Sequence, residues 1–322
     1  MKIKQAILLV IIFSACIPSY SFFKNDNTFV DKNNNKGFFG LFSNNQVEPN
    51  SLWKTAADLF DNEKFKKAEV KFRTFYKSFP NDERSQLAVL MRGHSLMKLD
   101  KFEEAFYVYQ FCIDNYSNKI EEYDDILNLQ LKAAKSYMNL RRMTLISGGY
   151  KSPELSIPLL EQIVSNNPEW SKSAEVLFLM GEINQNTKKY EEAILLYKKI
   201  VYQFSESLFY EKAFWKHIQC LTMLLEKYPN SSEIQNRLLS VSTLYLNKIS
   251  SSDKRNDIIV IRNQLYEIKA KKLFDQGVFY KKIIKNNKAA VLSFQSMINN
   301  YPKSKLVSNA LVQIEFLDNK ND

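Results

Sequence analysis

Two histidines, His94 and His217, and three cysteines set a low ceiling on the chemistry this chain can do. His217-x-x-Cys220 is the best-spaced pair. At i and i+3 on a helix both side chains reach the same side, as metal ligands must. A structural zinc needs four ligands and no second Cys/His pair follows, so the spacing reads as a packed helix interface and no metal is expected. No Gly-rich phosphate loop, nucleophile elbow or zincin motif occurs. Glu121-Glu122 and Asp124-Asp125 cluster carboxylates at what reads as a helix start, where acids favour the macrodipole rather than acid–base work. Together these features argue against an enzyme and against any cofactor. Cys112 and Cys220 fall in apolar helical runs, where buried free thiols are common; a disulfide between them is not indicated, and in separate repeats none could form.

The elements that carry these residues are helices. Only 7 glycines and 8 prolines punctuate 322 residues. A sheet-rich chain would need many more tight turns, so long helices with short connections are favoured. The formal charge is +10, but the basic residues interleave with acids, as in Glu63-Lys64-Phe65-Lys66-Lys67 and Lys188-Lys189-Tyr190-Glu191-Glu192. Charge spread in this way solvates helix faces and does not mark a nucleic-acid partner.

Lys2 and Lys4 followed by the apolar run Ala6 through Phe13 form an export signal. The run is far short of the ~20 residues that span a bilayer. Two cleavage readings stand. Phe13-Ser14-Ala15-Cys16 resembles a bacterial lipobox, making residues 1–15 the signal and Cys16 the acylated mature N-terminus, although that pattern prefers Leu where Phe13 stands. Alternatively Ser19-Tyr20-Ser21 is a small-x-small site, and cleavage after Ser21 leaves a soluble periplasmic protein. Residues 16–50 read as a flexible tether rich in Asn, Lys and Asp from residue 22 onward. Within it Phe38-Phe39-Gly40-Leu41-Phe42 either folds back on the first helices or docks on a membrane or partner.

From Ser51 the chain repeats. Phe65-Lys66-Lys67-Ala68, Phe102-Glu103-Glu104-Ala105 and Tyr190-Glu191-Glu192-Ala193 are one signal seen three times. Each has a small residue (Ala56, Gly93, Gly181) twelve positions before the alanine. Small residues at both positions let two helix backbones approach closely, and prolines such as Pro80 close the second helices. A unit of ~34 residues built this way is a tetratricopeptide repeat.

The third unit is stretched: Ala133, Ala134 and Tyr137 lie on its first helix and Leu159, Leu160 and Ile163 on its second. Between them lies Arg141 to Lys151, where Gly148-Gly149 mark a loop rather than a turn, and Pro158 marks either a helix start or a kink. The fifth, about 206–249, carries Ala213 and Trp215 but is degraded, and 230–265 is either repeat or insert. The last runs from Ala270 through Phe279-Tyr280 and Ala289-Ala290 to Pro302, with Val307 to Leu317 a closing helix. The expected fold of residues 51–317 is an all-α, tetratricopeptide-like right-handed α-solenoid of about five to six helix pairs, each burying its apolar face only against the next. Projected on that fold, Trp53, Ala57, Phe60, Leu90, His94 and Met97 face a groove lined by the first helices. Trp53 and Phe60 can equally be packed parts of an N-terminal cap.

An export signal followed by such units, with an enlarged third, resembles the outer-membrane β-barrel assembly lipoprotein family (BamD-like tetratricopeptide proteins). The stretches that carry the resemblance are Phe279-Tyr280-Lys281 with Ala289-Ala290 through Tyr301-Pro302-Lys303-Ser304, and Phe65 through Pro80. The resemblance implies a non-catalytic scaffold at the periplasmic face of the outer membrane, lipid-anchored if Cys16 is acylated. Its N-terminal units would bind unfolded outer-membrane proteins. Its C-terminal unit, with Phe279 and Tyr280, would dock the central β-barrel assembly subunit. Two further readings are a periplasmic coordinator of envelope division related to the Tol–Pal system, disfavoured because residues 22–50 show no heptad, and an envelope enzyme on a helical-repeat scaffold.

Overall fold

The computed structural model describes residues 48–116, 123–142 and 149–318; the export signal, Cys16, the Phe38–Phe42 cluster, Glu121-Glu122 and Gly148 lie outside them. Thirteen α-helices run through the described residues. They are α1 (Pro49–Asp61), α2 (Phe65–Ser78), α3 (Ser85–Lys98), α4 (Phe102–Tyr116), α5 (Tyr123–Asn139), α6 (Ile157–Asn166) and α7 (Ser173–Asn186). There follow α8 (Tyr190–Gln203), α9 (Tyr210–Lys227), α10 (Ser232–Lys248), α11 (Arg255–Phe279), α12 (Asn287–Asn300) and α13 (Val307–Asp318). Taken in pairs they form six hairpins, with α13 left over. No helix among the described residues is long and apolar enough to cross a membrane.

The hairpins owe their shape to two devices. At the tips, Glu63, Asp100, Lys188 and Lys285 each adopt the left-handed conformation with φ of 56–62°, reversing the chain as helix C-caps do. At the crossings, backbones approach so closely that a Cβ on Gly93 would fall within 3.0 Å of the Tyr109 ring. Gly181 stands in the same relation to Tyr197, and Gly277 to Phe294. All three rings are fully buried, so glycine is required for the space and not for its backbone freedom.

Packing runs from each helix to its neighbours in sequence, which defines a solenoid. First helices also touch the next first helices: Lys135 of α5 pairs with Glu175 of α7, and Lys216 of α9 reaches Glu182 of α7 at 3.9 Å. Second helices do the same. The Tyr76 and Phe111 rings lie 5.7 Å apart between α2 and α4, the Gln110 carbonyl on α4 accepts from the Asn166 amide on α6 at 2.8 Å, and Arg237 on α10 grips Glu191 on α8 through two bonds of 2.9 and 2.8 Å. One hydrophobic core extends from Leu52 to Leu265, and a second holds Ala270, Ala290, Phe294, Met297, Ala310 and Leu317. Helix α11 serves both, which explains its 25 residues.

Several expectations resolve. Pro158 lies in the first turn of α6, where its missing N–H costs nothing, so the helix starts there; a 3₁₀ turn at Pro153–Ser156 leads into it. Within the loop before it, Arg141–Arg142 pairs antiparallel with Tyr150–Lys151. The stretch 230–265 is repeat: α10 is a full second helix, opened by Ser231, whose hydroxyl accepts from the Ile234 N–H at 3.3 Å. Cys112 and Cys220 are buried free thiols, and burial pushes both up to about 12, leaving them unreactive near neutral pH.

Candidate protein-binding face

Trp53, Phe60, Leu90, His94 and Met97 are all half-buried. Trp53 lies edge-on to Phe72 and Phe75, with centroids 5.7 and 5.3 Å away, and its ring carries the Arg84 guanidinium at 5.8 Å. Phe60 packs against Phe65 at 5.3 Å. Both aromatics are therefore built into their own hairpin and offer only an edge. Leu90, His94 and Met97 stand at i, i+4 and i+7 on α3, forming one stripe. His94 Nδ1 meets the Tyr109 hydroxyl at 3.2 Å, and burial, helped by Lys132, holds the imidazole below its ordinary pKa. It is neutral at pH 7, so the stripe carries no charge.

Further along, the same face changes character. First helices α5, α7 and α9 meet through Lys135–Glu175 and Lys216–Glu182, and Lys172 bonds Asn128 at 2.6 Å. These charges are engaged with the scaffold itself. The first two hairpins offer an apolar, half-open lining, edged by the Arg84 guanidinium over the Trp53 ring.

Away from this face lies a buried polar lock. Glu69 and Arg92, each 6% exposed, pair at 2.9 Å, and Arg92 donates to the Tyr76 hydroxyl at 2.7 Å. Burial alone would raise the Glu69 carboxyl, but hydrogen bonds from Arg92 and Arg73 hold it below its ordinary value. His217 is 6% exposed. Burial, with Arg237 and Lys198 nearby and Glu191 opposing, depresses it to about 4. His217 and Cys220 both point into the core of α9, and among the described residues no group of three His, Cys, Asp or Glu could hold a metal.

At the C-terminal end Phe279 is 48% exposed, while Tyr280 packs against the second core. Reading the sequence alone missed their surroundings. Ile283 and Ile284 are 66% and 52% exposed, and Leu311, Val312 and Phe316 on α13 are also open.

With this geometry in view, the tetratricopeptide repeat family profile matches residues 175–207 and 273–304. These are the α7–α8 hairpin and the one in which Gly277 closes on Phe294. The chain thus contains tetratricopeptide repeats, the class of helical hairpin that serves as a protein-interaction scaffold. Among solved structures, a TPR repeats protein from Bacteroides fragilis aligns at 14% identity over 84% of this chain and 99% of that one, with a TM-score of 0.38. A tetratricopeptide repeat protein from Parabacteroides merdae aligns at 13% over 83% and 98%, with a TM-score of 0.32. The type IV pilus biogenesis factor PilW aligns at 13% over 83% and 99%, with a TM-score of 0.27. Likeness at these scores bears no weight; the repeat match and the hairpin geometry do. Comparison with curated proteins finds no match.

Proposed function

We propose that this chain is a non-catalytic scaffold and receptor in outer-membrane β-barrel assembly, binding unfolded barrel precursors and the central barrel subunit at the periplasmic face of the outer membrane. The observation that carries the reading is the uncharged stripe Leu90, His94 and Met97 beside the edges of Trp53 and Phe60. A barrel strand in its unfolded state alternates apolar and polar residues. Its aliphatic and aromatic side chains match a half-open apolar lining with a neutral imidazole. The export signal and the resemblance of Phe65 through Pro80 and Phe279 through Ser304 to the assembly lipoproteins point the same way. Cys16, if acylated, supplies the anchor. Depletion in cells that make the chain is expected to lower many outer-membrane barrels together, and the chain is expected to co-purify with one. Unaltered barrel levels on depletion would refute the assignment, and a mature chain starting at Phe22 without lipid would remove the anchor alone.

A further inference from the structure

The tip of the last hairpin is built differently from those of the first, second and fourth. In the first, second and fourth hairpins the N–H that follows the left-handed residue returns to a carbonyl five positions back: Lys64 to Leu59, Lys101 to Leu96, and Lys189 to Asn184. In the last, Asn286 N–H returns six positions, to Tyr280, and residues Tyr280–Ile284 form a π-turn. One residue has been inserted, and a π-turn is how a helix absorbs it. The insertion also accounts for the spacing at the crossing. Tyr109 and Tyr197 lie sixteen residues after their glycines, and Phe294 seventeen after Gly277.

The extra residue is apolar and uncovered. At the regular tips a half-buried aromatic, Phe65, Phe102 or Tyr190, opens the second helix; here that place is taken by Asn287. Ile283 and Ile284 consequently project from the tip at 66% and 52% exposure. Lysines surround them. Lys281 is engaged, its ammonium 4.2 Å from the Phe316 centroid and bonded to Gln313 at 2.7 Å, whereas Lys282, Lys285 and Lys288 are exposed. From Ile268 to Ile314 nine lysines stand against a single acid, Asp275.

The geometry points to this tip as a contact for an anionic lipid surface: Ile283 and Ile284 enter the headgroup boundary while Lys282, Lys285 and Lys288 pair with the lipid charge. A protruding apolar pair at a hairpin tip, ringed by exposed lysines, suits a fluid anionic interface. Each lysine near such a surface strengthens binding about fivefold. This contact is independent of the receptor reading.

The test uses the full chain carrying Ile283→Trp and vesicles containing phosphatidylglycerol or phosphatidylcholine alone, with bromine-labelled lipid as quencher. Because the apolar Ala6–Phe13 run can itself attach the chain and Trp53, Trp170 and Trp215 already fluoresce, the quenching that the variant gains over the unchanged chain is what reports the tip. Quenching is expected with the anionic vesicles and not with phosphatidylcholine. Changing Lys282, Lys285 and Lys288 to glutamine should weaken vesicle binding by roughly a hundredfold, and Ile283→Ser with Ile284→Ser by about tenfold, with helix content unchanged by circular dichroism. Absence of that gained quenching, or gained quenching indifferent to the lysine changes, overturns the proposal. So does a tip that is silent to lipid but whose variants release a co-purifying protein.

Discussion

Gly93→Ala puts the crossing geometry to a quantitative test. At an ordinary helix position alanine would stabilise the chain by about 0.8–1 kcal/mol over glycine. Here the new methyl would lie within 3.0 Å of three ring atoms of Tyr109. That ring cannot swing aside: it is fully buried, its hydroxyl meets His94 Nδ1 at 3.2 Å, and it makes a T-shaped contact with the His94 ring at a centroid distance of 6.0 Å. Relief must come from parting α3 and α4, an overpacking strain of about 1–3 kcal/mol. Against the propensity gain, the net loss is about 0–2 kcal/mol, or up to about 8 °C in Tm. Urea and thermal unfolding followed by circular dichroism measure it. The clash is pairwise, so Gly93→Ala combined with Tyr109→Leu should cost less than the two single changes added. A stabilised Gly93→Ala, or strict additivity of the pair, would refute the reasoning.

Two further expectations concern buried charge. His217 has a folded pKa of about 4 against about 6.5 unfolded, so between those values the unfolded chain binds more protons and stability falls as pH drops. The loss begins below about pH 6.5 and amounts to up to about 3 kcal/mol once pH has fallen through 4; in His217→Gln this component of the stability–pH profile should vanish. Glu69→Gln leaves Arg92 buried without its anion and should cost about 3 kcal/mol in urea unfolding, whereas replacing the pair by Leu and Met should be close to neutral.

Much of this fold was legible because the repeat imposes a spacing. A small residue, twelve positions, then alanine after an aromatic marks Ala56–Ala68, Gly93–Ala105 and Gly181–Ala193, and each pair became a helix crossing. Gly277 escaped that pattern because the inserted tip residue places the buried partner at Ala290, which is fully enclosed, rather than at Ala289. The α9–α10 hairpin looked degraded because Ile218 fills the position of the crossing glycine and the buried Gln235 replaces apolar patterning on α10. Helix α11 looked irregular because Ile258 and Leu265 serve one core while Ala270 serves the other, so no single stripe runs its length. The candidate face was legible only in part. Hydrophobic period placed Leu90, His94 and Met97 on one stripe, but Lys135 and Glu175, forty residues apart in the chain, meet only once the hairpins stack.

The receptor account is tested most directly by placing a photo-crosslinking amino acid at Leu90 or Met97 and presenting the purified chain with a denatured outer-membrane barrel protein. Adducts are expected from both positions and not from Lys71, which is exposed on α2. Equal crosslinking from Lys71, or none from the α3 stripe, would contradict the claim that the first helices receive the unfolded strand.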